Sequence, residues 1–64
     1  MTDFTPPLKK LLHDNGYRFF RSGRGDHEIW RHAETGRKVV VDASIKSRHT
    51  ANGVLKQAGL PKAF

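Results

Sequence analysis

Apolar residues recur along the chain first at helical spacing, then in short β-type runs, then at helical spacing again. Leu8, Leu11 and Leu12 fall at i, i+3 and i+4 behind Thr5-Pro6-Pro7. This predicts a short amphipathic helix with Thr5 as N-cap and the prolines in the first turn, where a missing N–H breaks no helical bond. Asn15-Gly16 supplies residue types that tolerate the left-handed turn closing a helix, and Tyr17 is placed to fold back on Leu12. From Tyr17 to Asp42 the pattern shifts to three β-type runs, Tyr17 to Arg21, His27 to His32 and Lys38 to Asp42, separated by glycine-bearing turns. Ala33-Glu34-Thr35-Gly36 carries its glycine late, as hairpins of three to five residues require. Ser22-Gly23-Arg24-Gly25-Asp26 is longer than a tight hairpin needs, and long glycine loops are where function tends to sit.

After a polar connection from Ala43 to His49, the residues Ala51, Val54, Leu55 and Ala58 return to helical spacing, with Thr50 as N-cap and Gly59 as the stop. Leu60 follows that glycine as Tyr17 follows Gly16, so it is expected to pack back on Leu55, and Pro61 to Phe64 form a short tail. The order is α-β-β-β-α, an α+β fold with a three-stranded antiparallel sheet. Each helix is apolar on one side only, so both helices should share one face of the sheet. The other face is then exposed, the natural place for a basic surface that binds RNA or a protein partner.

Length and charge narrow this picture. Sixty-four residues make one domain, residues 1–64, which buries only about 60% of the surface its unfolded chain exposes. With no cysteine there is neither disulfide nor thiolate metal site, which suits a reducing cytosol. No apolar run approaches the roughly 18 residues that span a bilayer, and Met1-Thr2-Asp3-Phe4 lacks the order of a secretion signal, so a cytoplasmic location without membrane contact is expected. Twelve Lys and Arg against six Asp and Glu give a net charge of +6, which favours a polyanion as partner over a surface that is merely soluble.

The candidate chemistry lies where the first loop feeds the second strand, at Gly25-Asp26-His27. A ribonuclease that uses no metal must deprotonate a ribose 2′-hydroxyl and stabilise charge on the phosphoryl oxygens, and histidine and arginine are the residue types for those jobs. His27 is the candidate base or acid, with Arg24, Arg31 and Lys46 as phosphate-binding cations and the amides around Gly23 and Gly25 able to approach a phosphate. By spacing alone, a lone histidine at a strand start reads more readily as a structural or solvated edge residue. Asp26 and Glu28 flank His27, but strand neighbours point to opposite faces, so Asp26 meets the ring only through a distorted turn and otherwise caps that turn. His27 and His32 stand five apart on opposite strand faces, and His13 and His49 belong to other elements. No metal site or cofactor is expected from that arrangement. Phe20 and Trp30 either stack on unpaired bases or fill the core, the commoner use of an aromatic in a small domain, and the parity of the second strand leaves its buried face open.

Taken together, the helix ending in Asn15-Gly16-Tyr17, the loop into Gly25-Asp26-His27, the strand to His32 and the C-terminal stretch Thr50 to Leu60 resemble the HicA toxin family of prokaryotic toxin–antitoxin pairs. The likeness runs from about Leu8 to Leu60. It implies the fold of double-stranded RNA-binding domains and a metal-independent endoribonuclease, an mRNA interferase acting on mRNA. It also implies that His27, which closes the glycine-X-histidine motif, is catalytic, and that a HicB-type antitoxin blocks the RNA site. Many members carry serine where this chain has Asp26. The alternatives are a non-catalytic RNA-binding module and an inactive toxin homologue acting through protein interaction.

Overall fold

A computed structural model describes residues 3–64; the N-terminal reading above rests in part on Met1 and Thr2, which lie outside the described residues. The elements are α1 (Thr5–Asp14), β1 (Tyr17–Ser22), β2 (His27–His32), β3 (Lys38–Asp42) and α2 (Arg48–Gln57). The strands form an antiparallel sheet in the order β1-β2-β3. Tyr17, Trp30, Val39 and Val41 turn to one face, where they form one core with Leu8 and Leu12 of α1 and Ala51, Val54 and Leu55 of α2. Both helices therefore cover the same face, as their single apolar stripes require.

The ends of α1 differ from the sequence expectation in an informative way. Phe4, not Thr5, occupies the N-cap position, and it makes no side-chain cap bond. The Thr5 hydroxyl faces a stronger demand: it accepts a buried bond of 2.8 Å from the Ile45 N–H in the loop before α2. An unpaired buried amide is destabilising by about 1–3 kcal/mol, more than a cap at a solvent-exposed helix end contributes. The exposed Asp3 carboxylate takes over the capping, accepting from the Thr5 N–H at 3.0 Å. That bond, joined by the Thr5 side chain, holds the Asp3 pKa below its ordinary value. At the other end Gly16 has φ +91°, and a Cβ there would stand 2.8 Å from His32 Nε2, so glycine is needed for both conformation and space. Tyr17 is 1% exposed, and its hydroxyl donates to the Ala58 carbonyl at 2.9 Å, fastening the start of β1 to the end of α2.

In β1 the strand runs one residue beyond expectation, to Ser22, and its register shifts between Phe19 and Arg21. Phe20 is the extra residue of a β-bulge. Without it, strict alternation would turn Arg21 toward the core; with it, Arg21 pairs with Ile29 on the opposite face. The cap of α2 is Ser47, whose side chain accepts from the Thr50 N–H at 3.5 Å, so Thr50 sits within the first turn and is not the cap. The end of α2 follows expectation: Gly59 has φ +75°, its N–H bonds to Lys56 O, and the Leu60 N–H bonds to Leu55 O at 2.8 Å. The short tail Pro61 to Phe64 is held to the fold: the Phe64 backbone exchanges two hydrogen bonds with the Asn52 amide, and its ring stacks edge-on against Phe4 at 5.2 Å.

The Thr5–Ile45 bond gives a clean test. Thr5→Val keeps the shape and removes the acceptor, so the denaturation midpoint followed by Trp30 emission should fall by the equivalent of about 1–3 kcal/mol. Thr5→Ser should retain most of the wild-type stability.

Candidate functional site

The loop between β1 and β2 is built by its glycines. Gly25 adopts φ +64°, which brings the chain back so that Gly23 N–H donates to His27 O at 2.8 Å and His27 N–H to Arg24 O at 3.3 Å. The Gly23 amide is thus committed within the loop and is not available to a phosphate. Gly25, with open space where a side chain would stand, leaves its backbone approachable.

His27 opens β2 directly opposite Asp42, which closes β3, and their side chains meet through His27 Nδ1 and Asp42 Oδ1. Both are about half exposed, at 48% and 43% of the side chain. With Nδ1 held by the carboxylate, Nε2 is the ring nitrogen left for a substrate. The pair lines an open cleft of about 620 Å³, together with Arg24, Gly25, Asp26, Ala43 and Ser44. Asp26 therefore reaches the site, but the carboxylate that meets the imidazole is Asp42.

Asp42 is the residue that reading the motif alone missed, and its signal was present in the sequence. A turn at Ala33–Gly36 sets Arg31 opposite Lys38, and each step back along β2 matches one step forward along β3 until His27 meets Asp42. The structure brings Arg24 and Gly25 to His27 and holds Arg31 and Lys46 elsewhere. Arg31 shares the face of His27 but lies at the far end of β2, 5.6 Å from the Phe20 ring centroid. Lys46 lies in the connection before α2, where its charge helps to lower the Asp3 pKa.

The other aromatic and histidine candidates separate clearly. Trp30 is 9% exposed and belongs to the core, with its indole N–H donating to Glu28 Oε1 at 3.0 Å. Phe20, at 46% exposed, stands on the face of the sheet away from the helices, with Lys38 Nζ 5.2 Å from its ring. His32 is structural: its Nδ1 accepts from the Glu34 and Thr35 N–H groups, and its ring packs edge-on against Tyr17. Among the described residues, no three His, Asp or Glu side chains converge as a metal-binding group.

A small α-β-β-β-α domain with two helices on one sheet face, as in double-stranded RNA-binding domains, thus presents a histidine–carboxylate pair at the mouth of a glycine loop. The family described as HicA toxin of bacterial toxin-antitoxin matches residues 7–60, and the chain belongs to that family. Membership makes it one half of a toxin–antitoxin pair, whose partner is an antitoxin. No curated protein and no solved structure matches the chain. Among the described residues no helix is long and apolar enough to cross a membrane.

Glu28 follows His27 on β2 but turns to the core-side face, opposite Val41. Its pKa is lowered by the hydrogen bond from Trp30 and by Lys9, whose Nζ stands 3.2 Å away. A depressed carboxylate contributes stability above its unfolded pKa, here near 4.5, and loses it as pH falls through the lower folded value. Wild-type stability should therefore fall as pH drops from about 4.5 toward the lower folded value, and Glu28→Gln should flatten that part of the profile in chemical denaturation at stepped pH.

Proposed function

We propose that this protein is an mRNA-cleaving toxin that works without metal, with His27 as its acid–base residue and a HicB-type antitoxin as its inhibitor. The observation that carries the reading is the pairing of His27 with Asp42 in an open cleft beside Arg24, at the residue that the resemblance implies is catalytic. In this mechanism His27 Nε2 takes the proton of a ribose 2′-hydroxyl as its oxygen attacks the adjacent phosphorus. The P–O5′ bond breaks, the 5′ oxygen takes a proton from water as it leaves, the His27 imidazolium returns its proton to solvent, and a 2′,3′-cyclic phosphate remains. Asp42 holds the Nδ1 proton, so the reactive nitrogen carries a lone pair directed at solvent. Arg24 and the approachable Gly25 backbone stabilise negative charge on the phosphoryl oxygens.

Positioned general bases contribute about 10²- to 10⁴-fold, so His27→Ala should lower RNA cleavage by at least about 100-fold and relieve growth arrest. Its fold should be retained, because the ring is half exposed and outside the core. Cleavage in excess chelator, with termini resolved by mass, should show the 2′,3′-cyclic phosphate. Undiminished cleavage by His27→Ala would sink the assignment. Asp42→Ala should slow turnover by about tenfold or more with little change in RNA affinity, and Asp42→Asn should not restore the rate, because its amide can donate to Nδ1 and place the proton on the reactive Nε2.

A further inference from the structure

The sheet face opposite the helices carries an aromatic that the catalytic reading does not use. Phe20, the bulge residue of β1, is 46% exposed although its size and apolarity favour burial. Its ring is flanked by two cations, Arg31 at 5.6 Å and Lys38 at 5.2 Å from the centroid. Arg31 and Lys38 are cross-strand partners, so the ring lies over a position where β2 and β3 present paired positive charge. Ile29 and the exposed Val40 continue the apolar strip beside it, and the bulge adds Arg21 to the same face, opposite Ile29.

We propose that Phe20 is a stacking site for one unpaired base of a single-stranded RNA, with Arg31 and Lys38 contacting the neighbouring phosphates. The proposal rests on the ribonuclease reading and assigns that substrate a second point of contact. An aromatic ring accepts any base through its π-face, while cations held within about 6 Å of the ring stand ready for the backbone that a stacked base brings with it. A duplex offers no such base, so the site selects single strands. His27 and Arg31 lie on the same face of β2 four residues apart, about 13 Å at strand rise, so one extended strand lying along β2 reaches both the cleft and the ring. Charge favours RNA over a protein at this spot. Asp42 is the acidic residue among the strand positions of that face, and it is already engaged by His27.

The test uses a short single-stranded oligonucleotide with 2′-O-methyl groups, which binds but cannot be cleaved, titrated by anisotropy against wild type, Phe20→Ala, Phe20→Leu and Phe20→Trp. Phe20→Ala and Phe20→Leu should weaken binding by about 5- to 150-fold, the range for loss of one base–aromatic stack, and Phe20→Trp should restore it. The salt slope should be unchanged in those variants and reduced by about 0.7 in Arg31→Ala, since only the latter removes a phosphate contact. Phe20→Leu binding as tightly as wild type would overturn stacking, because apolar area alone would then suffice. Unchanged RNA binding by Phe20→Ala, with loss of antitoxin binding instead, would overturn the site as an RNA contact and leave the ribonuclease reading standing. Wild-type protein that neither binds nor cleaves single-stranded RNA would overturn both.

Discussion

The pairing of β2 with β3 decides which side of this molecule is core and which is site. A slip of β3 by one residue would turn Val39 and Val41 to solvent and bring Lys38 and Asp42 to the core face beside Trp30. The turn that joins the strands holds the register with local chemistry: Gly36 adopts φ +76°, and His32 Nδ1 accepts two N–H groups from the turn. The same register sets His27 against Asp42 at the opposite end of the hairpin. Core packing and the reactive pair are therefore two consequences of one alignment, expressed on opposite faces of the same strands.

So small a core leaves little packing to position two helices, and long-range hydrogen bonds complete the task. Thr5 binds the loop before α2, and Tyr17 binds the last turn of α2, each joining groups some 40 residues apart in sequence. Both bonds are buried, so both are insulated from competition by water. Because these ties and the apolar side chains lie on the helix side, the opposite sheet face carries no structural duty that would forbid charge. Polar and charged residues accumulate there without destabilising the fold.

Much of this was legible in the sequence, and what was hidden has a physical reason. Element order, the buried leucines and the glycine stops follow from periodicity, which reports burial directly. The caps did not, because Thr5 and Ser47 differ only in which backbone amide needs a partner after the chain has folded. Strand parity could not tell Trp30 from Ile29, since each shares its side with charged or histidine neighbours. Partners across the sheet settled it, by aligning Trp30 with Val39. The bulge at Phe20 is invisible to any period-2 reading, which assumes the alternation that a bulge interrupts. Asp42 stands fifteen residues from His27 in sequence, and only the pairing of β2 with β3 makes them neighbours.

Net charge suggested a polyanion, but the cations do not all serve it. Arg18 donates to the carbonyls of His13 and Tyr17 and so caps the end of α1, where a positive charge also opposes the helix dipole. Lys9 pairs with Glu28, Lys46 stands near Asp3, and the Arg37 guanidinium covers Gly59 so closely that a Cβ there would be 2.5 Å away. Arg24 is in the cleft, and Arg31 and Lys38 flank the exposed ring. These cations stand with His27 on the uncovered side of the fold, and among the described residues no ion pair or side-chain hydrogen bond holds them. Of the twelve Lys and Arg residues, four of those named here help to close the fold and three face outward with His27, so the balance of +6 alone does not measure the charge available to a ligand.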